Sequence, residues 1–141
     1  MKRRYVVKFV ALLLALITLL QLVGCKRTYQ KEYYSDFNNF ITGEAVVNNI
    51  IHNEKKQYIV FWLADIDEVY STGNFIIDGH NVDVVLENGL LDKVEVGDTI
   101  TFTSAPRLFW SDYFRPIIHI STSEEEILNL QEGYKNLMDM F

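Results

Sequence analysis

The sequence predicts a mainly β domain, a small barrel or sandwich of five to six short strands with a helix at each end. Three observations carry this. From residue 41 onward, short runs rich in Val, Ile, Phe and Thr are broken by the turn pairs Asp78-Gly79, Asn88-Gly89 and Gly97-Asp98. Ahead of them, Tyr29, Tyr33, Phe37 and Phe40 recur at spacings of four, four and three, which places them on one face of a helix over residues 28–39. Behind them, Ile127, Leu130, Tyr134, Leu137 and Phe141 form a second helical stripe at spacings of three, four, three and four.

Taken in order, residues 43–51 form a first strand, and the polar run 52–56 is its hairpin loop. Residues 57–66 form the second. Its Tyr58, Val60, Trp62, Ala64 and Ile66 share one face and Ile59, Phe61 and Leu63 the other, so both faces are expected to be covered. Residues 65–74 cross over, and 75–77 run into Asp78-Gly79. Residues 81–87 alternate, with Val82, Val84 and Leu86 inward, and Asn88-Gly89 closes that strand. Gly97-Asp98 turns the chain into residues 99–103, where Ile100 and Phe102 face in and Thr99, Thr101 and Thr103 face solvent. Residues 115–121 are the last strand. Ser123 and Glu126 then read as a capping box, with three glutamates in the first turn where the helix dipole favours them. Gly133 lies inside this helix at a cost of about 1 kcal/mol relative to Ala.

The first residues have a different character. Lys2, Arg3, Arg4 and Lys8 make a basic start, and residues 9–20 are apolar except for Thr18. Twelve residues suit the apolar region of an export signal; a spanning helix needs roughly 20. The run ends in Leu22-Val23-Gly24-Cys25, which resembles the lipobox of bacterial lipoproteins. That resemblance implies cleavage before Cys25, a diacylglyceryl group on its thiol with palmitate-type acylation, and attachment to the outer side of a bacterial cell membrane. Cys25 is the single cysteine, so it has no internal disulfide partner, and acylation would remove an exposed thiol. Anchoring needs at least two acyl chains, which the modification supplies.

The expected organisation is therefore a signal peptide over 1–24, an anchor with a short amphipathic helix over 25–40, and the β domain over 41–141. Cleavage would remove 24 of 141 residues and four of 13 Lys and Arg, leaving 117 residues with nine cations against 19 carboxylates, a balance of −10. Such a chain repels nucleic acid, whose binding requires phosphates to be neutralised by Lys and Arg. Lys26, Arg27 and Lys31, beside the anchor, are the residues suited to anionic headgroups. No Gly/Ser tether follows Cys25, so the domain is expected to stay close to the bilayer.

The strand count, the approach Val94-Glu95-Val96-Gly97-Asp98-Thr99-Ile100-Thr101-Phe102 and the closing Arg115-Pro116-Ile117-Ile118-His119-Ile120 together resemble an OB-fold module over residues 41–121. The pattern departs from that plan by placing its best helix after the last strand and leaving little room for one between residues 87 and 99. OB-folds bind through one sheet face and its flanking loops. By resemblance, the loop between the last two strands spans 105–114 and carries Arg107, Phe109, Trp110, Tyr113 and Phe114. Trp, Tyr and Arg dominate binding hot spots, although Phe109, Trp110 and Phe114 could equally fold over a barrel end.

Other candidate chemistry is sparse. Asp65, Asp67 and Glu68 supply oxygen ligands of the kind Ca²⁺ takes, without the remaining ligands and Gly of an EF-hand. His52 and His80 fall in expected turns and His119 in a strand, none at metal-ligand spacing with another. There is no G-x-S-x-G elbow. The residues thus favour a non-enzymatic module without a cofactor that binds an envelope protein or other extracytoplasmic partner. The alternative is an accessory lipoprotein that binds a cation or small ligand.

Overall fold

The computed structural model describes residues 8, 10–18, 30–66, 72–106 and 114–141. They fall into two compact units, residues 36–140, and the residues before 36 together with Phe141. In the latter, residues 10–18 and 30–35 are helical, and Leu12, Leu14 and Leu16 stand exposed. The helix predicted over 28–39 ends at Ser35. Short polar side chains compete there for backbone partners: the Ser35 hydroxyl donates to the Glu32 carbonyl at 2.7 Å, and Asp36 Oδ1 accepts from the Asn38 N–H at 3.0 Å, starting a 3₁₀ turn Phe37–Asn39.

Within residues 36–140 the order is β1 (Ile41–Asn53), β2 (Tyr58–Ala64), β3 (Thr72–Ile77), α1 (His80–Glu87), α2 (Leu90–Lys93), β4 (Thr99–Ser104), β5 (Arg115–Ser121), β6 (Glu126–Leu128) and α3 (Leu130–Met138). At 13 residues, β1 is long enough to serve two neighbours. Its first half pairs antiparallel with β4, from Ile41↔Ser104 to Val46↔Thr99. Its second half pairs with β2, from Val46↔Ala64 to Asn53↔Tyr58. An irregularity between Val47 and Asn49 bends the strand where the two ladders meet. Gly97, at φ +100°, donates to the Val47 carbonyl at 2.7 Å, and Val47 N–H donates to the Asp98 carbonyl at 2.9 Å, so the Gly-Asp turn is pinned to that bend.

β2 pairs with β3, β4 with β5, and β3 meets β5 in parallel at Phe75↔Arg115 and Ile76↔Pro116, which closes a five-stranded barrel. A meander of three strands, a helical connection, a fourth strand returning beside the first and a fifth closing on the third is the OB plan. Of the two expected departures, the lack of a helical connection before β4 disappears because residues 81–87 and 90–93 are helical, and the helix after the last strand remains. Val82, Val85 and Leu86 satisfy helical spacing just as Val82, Val84 and Leu86 satisfy the alternation predicted for a strand, and so short a run does not distinguish the two periods. Burial of Asn81, Val82 and Val85 decides it. Asn88-Gly89 ends the helix instead of turning a hairpin: Asn88 N–H donates to the Val84 carbonyl and Gly89 N–H to that of Leu86, both at 3.0 Å, with Gly89 left-handed at φ +77°.

The C-terminal segment also differs from the prediction. Residues 126–128 form β6, paired to β5 through Ile120↔Leu128 and Ser121↔Glu126. Ile127 and Leu128 are both buried, which a helix stripe led by Ile127 did not anticipate. The turn before β6 is held by Thr122, whose hydroxyl accepts from the Glu124 and Glu125 amides at 3.2 Å, so Ser123 caps nothing. The helix begins three residues after Glu126, at Asn129, whose Oδ1 accepts from the Gln131 and Glu132 amides at 2.9 and 3.3 Å.

The barrel is filled by Ala45 and Val47 of β1, Ile59, Phe61 and Leu63 of β2, Phe75 and Ile77 of β3, Ile100 and Phe102 of β4, and Ile117 and Ile120 of β5. Phe75 and Phe102 meet edge to face at 5.0 Å. Val82, Val85, Leu90 and Val94 join this cluster from the helical connection. Of the three threonines expected on the outside of β4, Thr99 is exposed. Thr103 is only 6% exposed and shares a 3.0 Å hydrogen bond with the Thr42 hydroxyl.

The outer side of β5 is covered by α3. Gly133 makes that possible: a Cβ there would collide with the Ile118 carbonyl, and Ile118 beneath it is fully buried. Buried Asn81 then ties α1 to α3, donating to the Gly133 carbonyl at 3.0 Å and accepting from Asn136 Nδ2 at 2.9 Å. At the same helix, Tyr134 packs against Phe37 at 4.7 Å and Phe40 at 6.2 Å. These two aromatics of the first predicted stripe therefore do pack, but from a 3₁₀ turn and the residue after it.

Candidate ligand-binding face

Among the described residues, the outer face of β2 carries one exposed large side chain, Trp62, whereas the outer side of β5 lies under α3. Directly paired residues on antiparallel strands project to the same side, so the ladders Asn49↔Trp62 and Trp62↔Asn74 place three side chains in one row across the sheet. The next row is Ile51, Val60 and Ile76. Trp62 is 49% exposed in the middle of its strand, although its neighbours Phe61 and Leu63 are sealed in the core. The expectation that both faces of β2 would be covered holds at Val60, which is buried in the next row, and fails at Trp62. Ile51 is 43% exposed beside Trp62, Asn74 is exposed and Asn49 half-buried.

This row reflects a local sequence pattern. β2 alternates with large apolar residues at every position, so its own sequence does not say which face is solvated. Its neighbours do: Asn49 on β1 and Asn74 on β3 are polar residues of low strand preference, and both lie opposite Trp62. That signal was available, but it required the strand register.

Arg107, Phe109, Trp110 and Tyr113 lie outside the described residues. The chain leaves β4 through buried Ala105 and Pro106, with Ala105 N–H donating to the Pro116 carbonyl at 2.9 Å, and returns at half-buried Phe114. Asp67 and Glu68 also lie outside the described residues; Asp65 is exposed at the end of β2 with a left-handed φ of +54°. His52 lies within β1 instead of the expected turn, and His80 is the first residue of α1. His119, in β5 as expected, has Nε2 3.5 Å from Glu126 Oε2. Among the described residues no three His, Cys, Asp or Glu are grouped to hold a metal ion.

A separate feature is an acidic cleft of about 620 Å³, lined by Glu44, Asp92, Asp98, Glu124 and Glu125 with Lys93, Thr99, Thr101, Thr122 and Ser123. Its one cation is spoken for: Lys93 Nζ lies 2.9 Å from Glu125 Oε2. None of the residues lining this cleft belongs to the uncharged row through Trp62.

Comparison with known proteins finds no matching family model, no matching curated protein and no matching solved structure. The OB assignment accordingly rests on strand order, pairing sense and the position of the helical connection.

Proposed function

We propose that this chain is a lipid-anchored extracytoplasmic lipoprotein whose barrel acts as a non-enzymatic binding module for an envelope partner. The anchor reading is supported by the basic start, the twelve-residue apolar run and Leu22-Val23-Gly24-Cys25. The binding reading is carried by one observation: a tryptophan half exposed in mid-strand on a closed barrel, flanked on both neighbouring strands by asparagine. Exposing an indole forgoes roughly 2 kcal/mol of burial, a cost that a recognition surface recovers on binding. In this reading the acidic body has no affinity for nucleic acid, and lipid on Cys25 supplies the contact with the membrane.

The binding half is tested by placing a benzophenone amino acid at position 62, and for comparison at position 87 on α1, in the native cells. A discrete adduct on irradiation is expected at position 62 and absent at position 87. Equal labelling at both positions, or none at either, contradicts the assignment. The anchor half is tested separately by Cys25→Ser, which is expected to accumulate uncleaved precursor; normal maturation of that variant removes the lipoprotein reading.

A further inference from the structure

We infer that the face around Trp62 recognises a neutral glycan. The inference rests on the binding-module reading and names the class of partner for the same face. A pyranose ring presents an apolar C–H surface on its flat side and hydroxyls at its rim. A ligand of that shape requires one broad aromatic platform bordered by groups that both donate and accept hydrogen bonds, which is what side-chain amides provide. The row Asn49, Trp62, Asn74 has this composition in this order. Two inter-strand steps put the two asparagine backbones about 10 Å apart, so the amides bracket a ring seated on the indole. Neither amide makes a side-chain hydrogen bond with another described residue; Asn74 is exposed and Asn49 half-buried.

The charge pattern selects the class of sugar. The row through Trp62 and the row of Ile51, Val60 and Ile76 contain no ionisable group, in a chain of which 23% is charged. With no Lys or Arg in either row and an acidic cleft elsewhere on the barrel, uronates, phosphates and sulfated sugars gain no ion pair and are opposed by the overall field. A protein partner would bury the same indole but would also have to desolvate two amides, leaving a cost wherever they were imperfectly paired. Sugar hydroxyls meet that demand directly.

The test uses the full chain in a sugar-free detergent, titrated with hexamers of β-1,4-linked glucose, β-1,4-linked N-acetylglucosamine, α-1,4-linked glucose and β-1,4-linked xylose, and with oligogalacturonate as the charged comparison. At least one neutral hexamer is expected to bind, with enhanced or quenched tryptophan fluorescence. Its affinity is expected to fall by at least about tenfold in Trp62→Ala and less in Trp62→Phe, and to fall severalfold in Asn49→Ala, with melting temperatures unchanged. Trp62→Phe and Asn49→Ala keep the test decisive if Trp62→Ala folds poorly. Absence of binding to every neutral hexamer, binding insensitive to all three substitutions, or equal binding of oligogalacturonate overturns the glycan assignment. If it is overturned while position 62 still cross-links to a protein in cells, the binding-module reading stands with a different partner; if cross-linking fails too, both fall.

Discussion

The two outer faces of this barrel receive opposite treatment. On β5, Ile118 is fully buried under α3, whose Gly133 carries no side chain at the point of contact, and Asn81 locks the helix to α1 with two hydrogen bonds. On β2, one strand removed from the edge of the same sheet order, Trp62 stands half exposed between two asparagines. The inner sides of both strands supply the same core. The difference teaches that the barrel's stability is settled on one side and its inner core, leaving the other side free to carry residues that serve recognition.

The comparison breaks most visibly at Gly133. Adding a Cβ against the Ile118 backbone leaves no flexible atom to yield, so Gly133→Ala is expected to cost about 3 kcal/mol or more, overriding the helix propensity Ala would add. The melting temperature should fall by more than about 10 °C. Asn81→Ala comes next, since it strands the Asn136 amide and removes a bond to the Gly133 carbonyl; about 2 kcal/mol in a denaturant titration is expected.

How much of this was legible in the sequence depends on which partner each residue needed. Strands β1, β2, β4 and β5 and the turn at Gly97-Asp98 were readable because alternation and turn chemistry are local. The helix α1 was not, because Val82, Val84 and Leu86 fit a strand while Val82, Val85 and Leu86 fit a helix, and Asn88-Gly89 serves a helix end as well as a hairpin. The start of α3 was misplaced for a related reason: Thr122, Ser123, Asn129 and three glutamates offer several caps, and the choice was made by pairing of Leu128 with Ile120, which no local pattern encodes. Gly133 read as a defect because its benefit lies on β5. Trp62 read as covered because its exposure depends on what is opposite it, Asn49 and Asn74.

A smaller, pH-dependent effect sharpens the same contrast at the β3–α1 junction. Burial holds the Asp78 carboxyl above its ordinary value of 3.8, partly offset by a hydrogen bond from its own backbone. The folded state therefore binds this proton more tightly than the unfolded chain. Its stabilising contribution is complete below pH 3.8 and is lost as pH rises through the higher folded value, so the ionised carboxylate is a cost at neutral pH. Asp78→Asn is expected to raise stability at pH 7, with the gain shrinking towards pH 3; a gain independent of pH would assign it to packing instead. The smallest expected stability effect belongs to Trp62→Ala, within about 1 kcal/mol of the parent, because half of the ring is already in water.

The most direct test sets the two faces against each other in one experiment: melting temperature and cross-linking at the β2 face, measured side by side for the parent, Gly133→Ala and Trp62→Lys, with the benzophenone probe at Ile51. A division of labour predicts that Gly133→Ala melts more than about 10 °C lower, whereas Trp62→Lys melts within a few degrees of the parent and yet loses the cross-linked adduct. Loss of stability in Trp62→Lys as large as that in Gly133→Ala, or an adduct that survives the lysine, would contradict it.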